Sequence, residues 1–192
     1  MIAKFLPQTT SRSTVRSLRR KLNARPRLEG LEDRALMATL ATLTPDAVTV
    51  TSAPVAFNGA LYFGGKDYDN GIELWKSDSS GTSLVKDIYA GFRNSNPSNF
   101  TVVGSKLFFT ATDATHGTEL WTTDGTSAGT NMVQDLYPGY GGSYPGQLTA
   151  MNGVLYCVAY DPKGGYELIR SDGTDAGTYM VKEIRPGITA SS

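Results

Sequence analysis

The chain has 192 residues, with 18 Lys and Arg matched by 18 Asp and Glu, and it carries one histidine and one cysteine. A single cysteine excludes an intrachain disulfide framework, and with no CxxC pair, no GxSxG elbow and no phosphate-binding glycine motif, most familiar enzyme constellations are excluded too. The zero net charge hides a split: nine Lys/Arg stand against three Asp/Glu up to Arg34, about +6, and nine against fifteen beyond it, about −6.

Residues 1–45 read as a basic, mostly disordered arm of export or targeting type. Val15, Leu18 and Leu22 have helical spacing, so any helix should be confined to Ser13–Leu22. A basic arm can hold nucleic acid or an anionic membrane surface. A nucleic-acid arm would interleave aromatic residues with its arginines, and only Phe5 lies in the segment, so no nucleic-acid partner is expected. No apolar stretch follows the basic start directly, so an ordinary secretory signal is not evident. Ala35–Leu43 is nine residues with two threonines, too short to span a bilayer. No transmembrane segment is expected.

Residues 46–192 are a repeat. The phrases GIELWKSDSSGT from Gly71, GTELWTTDGTSAGT from Gly117 and GYELIRSDGTDAGT from Gly165 place Glu73, Glu119 and Glu167 at spacings of 46 and 48 residues. A period of 40 to 50 residues marks a repeated supersecondary unit. Upstream, FNGALYFGGKDYDNG, VGSKLFFTATDATHG and MNGVLYCVAYDPKGG align without a gap, so that Phe63, Phe109 and Cys157 correspond. Downstream, Asp87, Asp135 and Glu183 correspond, and the one irregularity is a two-residue deletion at Ser79–Thr82, within a turn.

Each unit predicts four short antiparallel strands. In the third copy these are Gln147–Met151, Val154–Tyr160, Tyr166–Arg170 and Thr178–Ile184, separated by Asn152-Gly153, Pro162–Gly165 and Asp172–Thr174 and closed by Pro186-Gly187. Asn-Gly between apolar runs signals a type I′ hairpin, because both central residues need positive φ. Pro-Gly stops the ladder. The runs Leu61-Tyr62-Phe63, Leu107-Phe108-Phe109 and Leu155-Tyr156-Cys157 do not alternate with polar residues, so both faces of each sheet should be covered by neighbours. The expected fold class is therefore all-β: three propeller-like four-stranded blades, at about 48–91, 97–139 and 145–187, forming an incomplete propeller.

The phrase itself resembles the bacterial ELWxxDGT repeat family, with Glu119–Thr126 a full match, Glu73–Trp75 plus Asp78 a partial one, and Ile169 standing where the tryptophan should be. The resemblance covers roughly residues 55–187 and implies a propeller-like array in exported or surface-associated proteins, with no known activity. Arg25–Met37 is similar to the LEPR-XLL type N-terminal segment, with Asp33 in place of the proline and Met37 in place of the second leucine. That similarity implies the start of a large exported bacterial protein, hence an extracellular or cell-surface location.

No residue qualifies as a catalytic, cofactor-binding or metal-ligating site. His116 falls in the loop between second and third strands and reads as a solvated loop residue; Cys157 reads as a small buried hydrophobe. Asp67, Asp113 and Asp161 precede the aligned glycine by four, and Asp78, Asp124 and Asp172 open a turn. Aspartates at such positions accept backbone N–H bonds and shape turns, while calcium, which takes six to eight oxygen ligands, is the one cofactor left as an alternative. Glu73, Glu119 and Glu167 share a strand face with Trp75, Trp121 and Ile169 and read as structural hydrogen-bond acceptors. Tyr137, Tyr140 and Tyr144 cluster on a glycine-bearing crossover, where aromatic rings either pack on the next blade or stack on carbohydrate.

These features point to a non-enzymatic extracellular or cell-surface module for binding or scaffolding, a fragment of a longer repeat protein. Its expected partners are protein or carbohydrate at the cell surface, and copies of itself through open blade edges. The alternatives are a propeller-based hydrolase or lyase with a carboxylate site, and a calcium-dependent carbohydrate-binding or adhesion module.

Overall fold

The computed structural model describes residues 48–182. The arm at 1–45, the Ser13–Leu22 segment and the Pro186-Gly187 exit lie outside the described residues. Within them the fold is all-β, in three propeller-like antiparallel sheets. The first sheet holds β1 (Thr49–Val50), β2 (Val55–Phe57), β3 (Ala60–Asp67), β4 (Gly71–Asp78) and β5 (Gly81–Lys86). The second holds β6 (Ser98–Val103), β7 (Lys106–Asp113), β8 (Gly117–Thr123) and β9 (Asn131–Gln134), and the third holds β10 (Gly146–Met151), β11 (Val154–Asp161), β12 (Gly165–Ser171) and β13 (Tyr179–Lys182).

The fifth strand of the first sheet is a split edge. Both β1 and β2 pair with β3, at Val50↔Gly65 and Val55↔Tyr62. The same edge carries a bulge between Ser98 and Thr101 in the second sheet and between Gly146 and Thr149 in the third. A bulge inserts a residue and bends the strand; in the first sheet the interruption is wide enough to divide it. Asn58-Gly59 and Asn152-Gly153 carry φ of 48° and 76° and of 51° and 77°, the two positive values of a type I′ turn.

Side chains alternate between a leading face, turned to the preceding sheet, and a trailing face, turned to the following one. Ala60, Tyr62, Leu74 and Val85 on the trailing face of the first sheet pack with Leu107, Phe109, Ala111 and Trp121 on the leading face of the second. Phe108, Leu120 and Val133 on the trailing face of the second pack with Leu155 of the third. Burial of this apolar area against neighbours, at about 25 cal/mol per Å², is what a single four-stranded unit lacks.

The third sheet departs from the expectation that both faces are covered. Leu155, Cys157 and Ala159 are buried, but Val154, Tyr156 and Val158 are only half-buried. Val181 is 45% exposed, where its counterparts Val85 and Val133 are 6% and 7%. The sequence run is continuous in all three copies, but coverage depends on the neighbour, and no described residue packs on the third trailing face as the second and third sheets pack on those before them. The leading face of the first sheet is closed by contrast: Leu61, Phe63 and Trp75 pack with Val48, Val50 and Leu84.

Candidate functional site

The recurring glutamate is the third residue of β4, β8 and β12 and is fully buried at Glu73, Glu119 and Glu167. Glu73 Oε1 accepts from Ser95 N at 3.0 Å, and Oε2 accepts from Ser95 Oγ at 2.6 Å and Ile88 N at 2.7 Å. Glu119 repeats the pattern, with Ser143 N at 2.6 Å, Ser143 Oγ at 2.5 Å and Leu136 N at 3.4 Å. The same serines reach forward: Ser95 O accepts from Thr112 N at 2.8 Å and Ser143 O from Tyr160 N at 2.7 Å. Each carboxylate thus staples the crossover that leads into the next sheet. Burial pushes both carboxyls up to about 7, against the lowering effect of the serine and backbone donors. Sequence reasoning anticipated acceptors here but missed Ser95 and Ser143. They stand 48 residues apart, the repeat spacing, which was the available signal.

The two aspartate series shape turns at opposite ends of the hairpins. Asp67 accepts from Asn70 N at 2.6 Å, Asp161 from Lys163 N at 2.7 Å, and Asp113 from Thr115 N at 2.9 Å and His116 N at 2.6 Å. Asp124 and Asp172 accept from Thr126 and Thr174, through both the backbone N–H and the hydroxyl. Those threonine bonds hold both aspartates below the usual carboxylate range. Asp113 and Asp124 are separated by the length of the β7–β8 pairing, roughly 20 Å at about 3.3 Å per residue, so the series do not converge. Among the described residues, no group of three or more His, Cys, Asp and Glu is placed to hold a metal ion.

The Asp-Gly-Thr turn is also the socket for the preceding sheet. Lys86 Nζ donates to Thr130 O at 2.7 Å, Lys106 Nζ to Gly173 O at 3.0 Å and Gln134 Nε2 to Asp175 Oδ1 at 2.8 Å. Tyr62 lies against Gly125, and Lys106 with Phe108 behind it against Gly173, so closely that a Cβ at Gly125 would collide with the tyrosine hydroxyl and one at Gly173 with the lysine side chain. With φ of 100° and 80°, both positions also favour glycine on backbone grounds.

His116 Nδ1 lies 2.7 Å from Asp113 Oδ2, in a half-exposed pair at the loop. That bond pushes the imidazole up. Burial raises Asp113, but the bonds from His116 outweigh it and hold the carboxyl low. Cys157 is buried, and burial pushes its thiol up to about 12, far from a reactive thiolate. The crossover tyrosines separate: Tyr137 packs on Tyr160 at 5.7 Å between ring centroids, while Tyr140 and Tyr144 are exposed.

The breaks in the aromatic positions of the repeat collect in one place. The leading face of the second sheet carries an aromatic stack, Phe100 to Phe109 at 5.6 Å and Phe109 to Trp121 at 6.5 Å. The third sheet has Leu148, Cys157 and Ile169 at those positions. A cleft of about 290 Å³ lies there, lined by Gln134, Asp135, Leu136, Ala159, Tyr160 and Ile169, with Tyr179 and Met180 at its side. A second cleft of about 320 Å³ lies behind the next Asp-Gly-Thr turn, with Lys106, Thr122 and Asp124 among its walls. No family model, curated protein or solved structure matches this chain.

Proposed function

We propose that this chain is a non-enzymatic, exported or cell-surface repeat protein of the ELWxxDGT type, acting as a binding or scaffolding module. The observation that carries the reading is how the recurring acids are employed. Glu73 and Glu119 accept backbone and serine donors of the crossovers, and Asp124 and Asp172 bind their own turns. A hydrolase or lyase working with these carboxylates would have to break the contacts that join its sheets. Among the described residues no helix is long and apolar enough to cross a membrane, and the export reading rests on the similarity of Arg25–Met37 to LEPR-XLL segments.

The unequal end faces support the scaffolding part of this reading. The leading face of the first sheet is covered, while Leu168 and Val181 on the trailing face of the third are not fully buried. Two copies can therefore meet trailing face to trailing face, an arrangement that closes at a dimer. Light scattering on the full chain should give a dimer, and Leu168→Asp with Val181→Asp should give a monomer of unchanged circular dichroism. A monodisperse monomer from the parent chain would sink the scaffolding part. Export is tested by fractionating cells that express the chain with and without residues 1–45; retention of both forms in the cytoplasm counts against it.

A further inference from the structure

We infer that the cleft between the second and third sheets is a saccharide-binding site, in which Tyr160 and Tyr179 offer aromatic surface and Gln134 and Asp135 offer hydrogen-bonding groups. The inference rests on the binding-module reading above and gives that module a ligand class.

Five departures from the repeat lie at or beside this cleft. Ile169 replaces the tryptophan at Trp75 and Trp121, and Cys157 replaces the phenylalanine at Phe63 and Phe109, so two large rings are missing from the interior of one junction. At the rim the change runs the other way. Tyr160 and Tyr166 stand where Thr112 and Thr118 share a hydroxyl contact at 2.7 Å, and Tyr179 stands where the second sheet has Asn131. Aromatic rings have left the interior of the junction, while Tyr160 and Tyr179 stand in the lining of the cleft. Relaxed packing alone would account for the first change but not for the second.

The resulting surface has the amphipathic character of a pyranose ring. Ala159, Ile169 and Leu136 give an apolar floor. Tyr160, 37% exposed, stands between Tyr137 and Tyr166 at ring distances of 5.7 and 5.5 Å, and Tyr179, 50% exposed, has the Arg170 guanidinium over one ring face at 5.4 Å and its other face to offer. A short tyrosine run thus leads out of the cleft. Asp135 Oδ1 is buried without a hydrogen-bond partner, an arrangement that costs free energy until a donor arrives. Its counterpart Asp87 Oδ1 is equally unpartnered, but the junction in front of it is filled by Phe109 and Trp121. A sugar hydroxyl supplies both donor and acceptor, and the cleft volume lies at the small end of ligand sites. The carboxylates of the cleft need no calcium in this reading, because the sugar bonds to them directly.

The test is titration of the full chain with neutral hexasaccharides of glucose, xylose, mannose and N-acetylglucosamine, followed by calorimetry and by tyrosine ring signals in NMR. Choline serves as the control for a cation bound in an aromatic cage. At least one hexasaccharide should bind in the presence of a chelator and shift the rings of Tyr160 and Tyr179. Tyr160→Ala with Tyr179→Ala should raise the dissociation constant by about tenfold or more. Ile169→Trp, which restores the residue of the other two sheets, should also abolish binding while the melting temperature holds or rises. Because a lone tryptophan could overpack, Asp135→Asn gives an independent weakening with no change of volume. Failure of every hexasaccharide, binding that survives Ile169→Trp, or binding of choline alone would overturn the inference. Reducing ends are assayed in the same samples: turnover that disappears with Ile169→Trp upholds a saccharide site but overturns the non-enzymatic reading, so the two fail separately.

Discussion

The junction between the first and second sheets and the junction between the second and third are built from the same phrase and end differently. Both are stapled by a buried glutamate to a crossover serine, and both seat a lysine on a backbone carbonyl, Lys86 on Thr130 O just after the Asp-Gly-Thr turn and Lys106 on Gly173 O within it. The first is filled by Phe109 and Trp121; the second, with Cys157 and Ile169 at those places, holds a cleft of about 290 Å³. The polar parts of the repeat hold sheets together, and its apolar parts decide whether a junction is solid or open. A module can therefore open a site by changing apolar residues alone and keep its architecture.

The largest expected effect tests the part that the junctions share. Glu119→Ala leaves Ser143 N, Ser143 Oγ and Leu136 N without their acceptor in a buried place, a loss of about 3 kcal/mol or more. Glu73→Ala should cost a similar amount, measured by urea unfolding; if only one of the two is costly, the staples are not equivalent. Next comes Trp121→Ile, which copies the open junction into the solid one. It should cost about 2 to 4 kcal/mol through lost burial and the cavity left behind, whereas Ile169→Trp should be neutral or stabilising. An equal loss from both would mean that the cleft reflects strain and not missing volume.

The pH dependence is smaller and its sign is definite. Glu73 and Glu119 are raised from 4.5 to about 7, so between those values the native chain binds more protons than the unfolded one. Stability from these groups is then highest below about pH 4.5 and falls as pH rises to about 7. His116, also raised, contributes stability that is present below its unfolded value of 6.5 and is lost as pH rises through its higher folded value. The lowered Asp113, Asp124 and Asp172 act at the acid end, losing their contribution as pH falls below 3.8. The melting temperature should therefore decline from pH 5 to pH 8, and Glu73→Gln with Glu119→Gln should flatten the decline. An unchanged slope in that double variant would remove the staples as its source.

The smallest effect concerns the turns. Asp124→Ala should lower the melting temperature only slightly, because it removes bonds within one exposed turn. Millimolar calcium should not raise the melting temperature of the parent; a rise abolished by Asp113→Ala with Asp124→Ala would restore the calcium reading.

Much of the β architecture was legible because its signals are local. Asn152-Gly153 marks a turn whose two positive φ values almost any other pair would resist, and the third-sheet strands lie within about two residues of their expected bounds among the described residues. The turn-shaping aspartates were legible for the same reason, since their acceptor bonds reach only two or three residues along the chain. Ser95 and Ser143 were not, because each meets its glutamate 22 or 24 residues away across a crossover.

By itself the sequence determined the period, the strands and the turns, and it displayed Cys157 and Ile169 as departures from the repeat. Local hydrogen bonding and alternation suffice for that. Only the tertiary structure decided that those two departures fall on one junction beside Tyr160 and Tyr179, and that the trailing face of the third sheet stays partly open. Both outcomes depend on which surfaces the stacked sheets bring opposite one another, and spacing along a single strand carries no information about that.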